Sequence, residues 1–186
     1  MRRMHDAPPQ ERYTSLAVLM HWAVAMLVFF QLGLGWYMEG LPKGPDRSAY
    51  FALHKSIGLT IFSLAALRLV WRATHPPPPL PASLPRWQNV LARCNHKLLY
   101  VLMFLQPVSG YLSSSFSGYT TSFFGFPLPH WGWKEPFLNE LFSDIHEVSA
   151  ITLAALVGVH ALAAVAHAVR PGDHLFRRML PRSLVP

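Results

Sequence analysis

The 186-residue sequence contains a single cysteine, Cys94, and few charged residues. One cysteine excludes an internal disulfide bond and also a thiolate metal site built from this chain alone. Only 13% of the residues are charged, whereas 52% are hydrophobic, and the mean hydropathy is positive. This composition excludes an ordinary soluble domain and favours a single domain embedded in a membrane.

Acidic residues are scarce relative to basic ones, nine against sixteen, and the formal net charge is +7. A nucleic-acid-binding surface needs a dense basic run with interleaved aromatic residues, and the sequence has no such run. The basic residues instead flank apolar stretches, where they act as topology signals. We therefore predict no nucleic-acid partner, and the lipid bilayer is the first partner that the composition implies.

Four largely apolar stretches predict four transmembrane helices, at about residues 15–38, 50–72, 92–116 and 143–169. About 20 apolar residues cross a hydrocarbon core of about 30 Å as a helix. The first stretch exceeds the core of a signal peptide and lacks a small-residue cleavage signature, so we expect it to remain as a span. The predicted fold class is an all-α integral membrane four-helix bundle, in a single domain over residues 1–186. No internal repeat is visible.

Two features interrupt these helices or connect them. Pro107 lies inside the third predicted helix, where a kink is expected because proline removes a backbone hydrogen bond. The stretch between Ser117 and Ser143 is rich in aromatic residues, which indicates an interfacial aromatic belt or a short surface helix.

The distribution of basic residues predicts the orientation of the bundle. Four spans place both termini on one side, and that side collects twelve basic residues against four on the other. The positive-inside rule therefore places both termini in the cytoplasm. The four basic residues of the outer side are Lys43, Arg47, Lys55 and Lys134.

Four histidines inside the apolar stretches fall into two pairs of matching depth. His21 and His160 lie in the inner half of the membrane, and His54 and His146 lie at its outer edge. His146 and His160 are fourteen residues apart on one helix face, which separates them by about 21 Å. A single histidine in an apolar helix is usually a hydrogen-bonded residue. Each uncompensated polar group in lipid costs several kcal/mol. Hydrogen bonding alone therefore explains four histidines of matching depth less well than it explains one.

Histidine pairs on facing helices are the ligand set of a low-spin haem, which takes one axial ligand on each face. A compact zinc or copper site is disfavoured, because the two pairs are about half a membrane apart and no carboxylate or thiolate converges with them. The sequence therefore predicts two bound haems, one in each leaflet.

Further polar residues lie at the inner edge, and each has two interpretations. Arg68 and Arg72 either pair with the propionates of the inner haem or anchor their helix at the lipid phosphates. His96 and His167, with Arg170 beyond them, form a polar cluster that suits a quinone headgroup. His167 is also the main rival to His160 as a ligand.

Lys55, adjacent to His54, and Gly58, one turn further along, each have two interpretations as well. Gly58 either clears room for a porphyrin edge or lets helices pack closely. Lys55 either serves the outer haem or extends to the membrane surface.

Several short motifs, in this order, resemble the bacterial cytochrome b561 family over nearly the whole chain. They are His21-Trp22, His54-Lys55-Ser56-Ile57-Gly58, Arg68-Leu69-Val70-Trp71-Arg72, the spacing of His146 and His160, Asp173, and Arg178-Met179-Leu180-Pro181. The resemblance implies a small di-haem b-type cytochrome, a multi-pass protein of the bacterial inner membrane. It also implies haem iron ligation by His21 with His160, and by His54 with His146.

The activity that this resemblance implies is oxidoreductase chemistry, in which superoxide is oxidised at the periplasmic face and ubiquinone is the electron acceptor. One alternative is the b-type cytochrome subunit that links a periplasmic hydrogenase or formate dehydrogenase to quinone. An alternative of a different class is a haem-free membrane anchor or assembly protein whose histidines only form hydrogen bonds between helices.

Overall fold

In the computed structural model, residues 12–80, 84–172 and 175–181 are described. Most of them lie in four long helices, namely α1 (Ser15–Glu39), α2 (Pro45–Thr74), α3 (Arg86–Ser117) and α4 (Pro136–Val169). A two-stranded hairpin, β1 (Ser122–Phe123) and β2 (Phe126–Pro127), connects α3 to α4, and a short 3-10 helix (Phe176–Met179) follows α4. The mostly helical architecture agrees with the predicted fold class. Asp173 of the proposed family motifs lies outside the described residues.

Three of the helices begin earlier than the apolar stretches predict. The predicted starts were at about residues 50, 92 and 143, whereas α2 begins at Pro45, α3 at Arg86 and α4 at Pro136. Proline suits the first turn of a helix because its missing N–H would be unpaired there anyway. The extra turns mix polar residues with apolar ones, so a criterion based on continuous apolar stretches does not detect them.

The bundle is held by an apolar core midway along the helices. Its buried residues come from all four helices: Val24, Val28, Ile61, Ala65, Leu102, Met103 and Leu153. Within the described part of the chain, α1 packs on α2, α2 on α3 and α3 on α4, whereas the other pairs of these helices, α1 with α4 among them, pack together far less. The close packing therefore follows the order of the helices in the chain.

Among the described residues, three helices (α1, α2 and α4) are long and apolar enough to cross a membrane. Polar residues interrupt α3, and several of them face the bundle, since Ser109, Ser114 and Ser115 are buried. Pro107 lies inside this continuous helix. A membrane crossing by α3 therefore stays a prediction.

The aromatic-rich connection contains a hairpin, and no surface helix lies between α3 and the start of α4. Phe124 and Gly125 form its turn with positive φ angles of 47° and 91°, the backbone conformation that tight hairpins require. The buried hydroxyl of Ser56 on α2 accepts a hydrogen bond from the Phe124 backbone N–H at 3.0 Å. The hairpin is thus fixed to α2 two residues from His54. The aromatic belt itself remains a prediction.

Ala65 is the most tightly enclosed core residue, with no exposed surface. We expect Ala65→Leu to destabilise the bundle by about 1–3 kcal/mol, because a well-packed core cannot admit three further carbons without strain. Thermal unfolding in detergent, followed by circular dichroism, measures the change. Ala163→Leu, the same substitution on an exposed face of α4, should leave the midpoint nearly unchanged. Equal effects of the two substitutions would contradict this description of the core.

Candidate haem-binding site

The histidines of the outer pair, His54 of α2 and His146 of α4, face each other inside the bundle. Their ring centroids are 6.1 Å apart and the ring planes are inclined by 76°. The ring of His146 is oriented by the α3 backbone, because its Nδ1 lies 2.9 Å from the carbonyl oxygen of Gln106. A carbonyl only accepts, so Nδ1 carries the proton and Nε2 keeps its lone pair for a metal. The Nδ1 of His54 is buried and has no hydrogen-bond partner in the described structure.

The histidines of the inner pair, His21 of α1 and His160 of α4, are also 6.1 Å apart between ring centroids, with an interplanar angle of 69°. They meet between two helices that pack together little. A third ring, that of His96 on α3, lies 5.2 Å from His160. The structure therefore brings together both predicted pairs and adds His96 to the inner one.

The spacing within each pair suits two imidazoles that share one metal ion. A metal–imidazole bond is about 2 Å long, and two such bonds on opposite sides of an ion place the ring centroids about 6 Å apart. Both pairs have this separation, although they join different helices. The residues present therefore fit two sites with bis-histidine ligation.

Arg68 faces the bundle interior beside the inner pair. Its Nη2 lies 3.3 Å from Nδ1 of His21, and its guanidinium carbon lies 5.5 Å from the centre of the Tyr100 ring. The Tyr100 hydroxyl is buried and has no hydrogen-bond partner among the described residues. Of the two sequence interpretations of Arg68, an interior contact agrees better with this position than a phosphate anchor. Arg72, one turn further on α2, is half-buried.

Lys55 is directed into a cluster of hydroxyl groups near the outer pair. Its Nζ donates to Ser114 Oγ at 2.6 Å, and Thr121 Oγ1 lies 2.9 Å from the same hydroxyl. The charge of Lys55 is thus solvated by neutral groups. By contrast, Arg47 forms an ion pair with Glu39 at 3.1 Å, so its charge is compensated locally.

The residues predicted to line a quinone site lie at different positions near the inner end. His96 lies against His160, His167 is half-buried two turns further along α4, and Arg170 is exposed just beyond the helix. The quinone site stays a prediction. For Gly58, the structure supports the helix-packing interpretation, because a Cβ atom there would lie 3.3 Å from Gln31 Nε2.

Sequence reasoning missed the residues that support the outer pair. Gln31 Nε2 donates to the His54 carbonyl oxygen at 2.7 Å, and Gln106 Nε2 donates to the His146 carbonyl oxygen at 2.7 Å. Gly35 and Gly110 lie against the two imidazole rings. A shared spacing of His, Gln and Gly along α1 and α3 was the available signal.

Paired histidines across apolar helices define a class of protein, the helical membrane cytochromes with b-type haem. A sequence profile described as prokaryotic cytochrome b561 matches residues 12–182. The chain therefore belongs to the prokaryotic cytochrome b561 family, and the resemblance noted from its motifs is confirmed. Proteins of this family bind b-type haem and transfer electrons in the membrane, and they generally interact with quinone and lipid.

Three relatives align over nearly their whole length. Cytochrome b561 homolog 2 of Escherichia coli (strain K12) is 33% identical over 182 residues, 93% of each chain. Cytochrome b561 homolog 1 of the same organism is 27% identical over 92% of this chain and 98% of its own. The probable superoxide oxidase CybB of Yersinia pestis is 25% identical over 92% of this chain and 97% of its own.

Proposed function

We propose that the chain is a di-haem b-type cytochrome that carries electrons across the bacterial inner membrane, from a periplasmic donor to ubiquinone. The observation that carries this proposal is the equal separation of 6.1 Å within two histidine pairs joined by one helix. His54 and His146 would ligate the outer haem iron, and His21 and His160 the inner one. When bound, haem supplies one-electron exchange between the ferric and ferrous states of its iron.

Superoxide is the donor that we favour, and it would be oxidised to O2. Two superoxide anions supply the two electrons that reduce ubiquinone, which takes up two protons to become ubiquinol. The support is the likeness to a probable superoxide oxidase and the position of Lys55, a cation beside His54 that no carboxylate neutralises within its described hydrogen bonds. A positive charge at the outer face attracts an anionic donor.

Other residues of the chain would contact the inner haem and the quinone. Arg68 would contact a propionate of the inner haem, which its position 3.3 Å from the His21 ring supports, and Arg72 lies one turn further along α2. His96 lies against His160, which favours a role beside the inner haem, and His167 and Arg170 remain candidates for binding the quinone headgroup. A histidine there hydrogen bonds to a quinone carbonyl and exchanges a proton with it.

Haem content tests the ligand assignment. We expect two haems per purified chain, and one after His54→Ala or His146→Ala, because a bis-histidine site loses an axial bond. His21→Ala and His160→Ala should remove the other haem. Pyridine haemochrome absorbance per chain measures the content, and His130→Ala, in the exposed connection, serves as the control. A chain without a Soret band, or with unchanged content in all four variants, would identify the haem-free anchor instead.

The donor is tested by kinetics with the purified protein. Superoxide generated by pulse radiolysis should reduce the haems faster than it dismutates, and added ubiquinone should reoxidise them. Lys55→Met should slow this reduction, because it removes a cation at the outer site. Lys43→Met is the matched control at an exposed position. Reduction no faster than dismutation, together with copurification of a hydrogenase or formate dehydrogenase subunit, would favour the subunit alternative.

The proposed orientation, with both termini in the cytoplasm, rests on the excess of basic residues on their side. Cys94 is an exposed thiol on the cytoplasmic side of this arrangement. We expect a membrane-impermeant maleimide to label Cys94 only after the cells are permeabilised. In a Cys94→Ser background, Lys43→Cys should be labelled in intact cells. The reverse pattern would invert the topology.

A further inference from the structure

The first and third helices carry the same three residue types at the same spacing. In α1, Gln31 follows His21 by ten residues and Gly35 follows by four more. In α3, Gln106 follows His96 by ten residues and Gly110 by four more. At about 100° per residue, the glutamine and the glycine are turned by about 80° and about 40° from the histidine. Each helix therefore carries an inner histidine and, about 15–21 Å further along, an outer glutamine–glycine unit on the same side.

The second and fourth helices share a spacing as well. Arg68 follows His54 by fourteen residues, and His160 follows His146 by fourteen. Aligned in this way, α2 and α4 both carry a histidine at the outer level, and at the inner level they carry an arginine and a histidine, respectively. The helix pair α1–α2 therefore corresponds to the helix pair α3–α4.

The apolar core follows the same correspondence. With the helices aligned on these residues, Val28 of α1 matches Met103 of α3, and Ile61 of α2 matches Leu153 of α4. All four are buried in the single core cluster. The correspondence is thus a property of the packing and extends beyond a few polar residues.

The outer contacts are duplicated in kind and in distance. Each glutamine donates its side-chain N–H to the backbone carbonyl oxygen of the histidine on the next helix, at 2.7 Å in both halves. Each glycine faces that histidine's ring. A Cβ atom on Gly35 would lie 3.3 Å from His54 Cε1, and one on Gly110 would lie 2.9 Å from His146 Cε1 and 3.0 Å from its Nδ1.

We propose that Gln31 with Gly35 and Gln106 with Gly110 are a duplicated pair of positioning units for the outer histidines. The glutamine holds the backbone of the histidine at one position along the helix axis. The glycine leaves room for the imidazole ring, and this room determines the orientation of the ring plane. This inference rests on the proposed function, in which His54 and His146 share one haem. The chemical class of ligand that the units serve is therefore a planar metal porphyrin held between two imidazoles.

The two units are not equally tight. Gln106 also contacts Ser149 Oγ at 2.5 Å, and its backbone carbonyl accepts from the His146 ring at 2.9 Å. No such ring contact exists for His54, whose Nδ1 has no hydrogen-bond partner among the described residues. The position of the His146 ring is therefore more strictly determined, and α3 should tolerate change less than α1.

Glycine substitutions test the proposal through the spectrum of the outer haem. Real Cβ atoms essentially never approach within 3.0 Å of such a neighbour, so Gly110→Ala forces the His146 ring to move, whereas Gly35→Ala needs a shift of a few tenths of an ångström. We expect Gly110→Ala to change the low-spin electron paramagnetic resonance signal and midpoint potential of one haem, or to release that haem. Gly35→Ala should give a smaller change in the same haem.

Gly33→Ala is the matched control, because nothing lies within 4 Å of a Cβ atom there. Gln106→Leu, which keeps the side-chain size but removes the donor, gives a second measurement should Gly110→Ala fail to fold. It should perturb the same haem as His146→Ala removes. In all of these variants the signal of the other haem should stay as in the unmodified protein.

The outcomes separate the two proposals. A chain that binds two haems and loses one in His146→Ala supports the ligand assignment independently of the glycines. If Gly110→Ala and Gln106→Leu then match Gly33→Ala, or disturb both haems equally, the positioning role is overturned while the proposed function stands. A chain that binds no haem overturns both.

Discussion

The cost of placing imidazole rings among apolar helices governs this structure. A polar group that meets neither water nor a partner in a membrane interior costs several kcal/mol, and four histidines of the helices face the bundle in two pairs. The ring centroids are 6.1 Å apart in each pair, and the ring of His146 also lies 2.9 Å from the carbonyl oxygen of Gln106. Helix α4 supplies a histidine at both levels, and the depths of His21 on α1 and His54 on α2 determine which of the two each one faces.

The same requirement explains why α3 differs in composition from the other helices. It contributes His96 to the inner level, but its main role lies in its polar side chains and backbone groups, which bind those of its neighbours. Gln106 contacts both the backbone and the ring of His146, and Ser114 accepts a hydrogen bond from Lys55. These groups lower the apolar content of the helix. They also make it the support against which the outer site is built.

Depth and periodicity predicted which histidines meet, because the position of a residue along a membrane helix fixes its height. Sequence reasoning therefore paired His54 with His146 and His21 with His160 without any contact information. It did not find Gln31 or Gln106, since an amide inside an apolar run has no signature of its own. It also overlooked the repeat, because only a few residues in each half are shared and the connecting segments differ in length. The early helix starts were missed for a simpler reason. Hydropathy detects only the apolar part of a helix and not the turns that extend beyond it.

The correspondence between the helix pairs α1–α2 and α3–α4 also accounts for the difference between the outer and inner levels. At the outer level the halves are alike, and each contributes one histidine, one glutamine and one glycine. At the inner level the equivalent of His160 is Arg68, so three histidines lie beside one arginine, and the pair of His21 with His160 joins two residues that are not equivalent. Arg68 instead places a permanent cation 3.3 Å from the His21 ring. Because Lys55 lies near the outer pair, α2 supplies one cation at each level. The two levels therefore differ in their histidines, two at the outer level and three at the inner one.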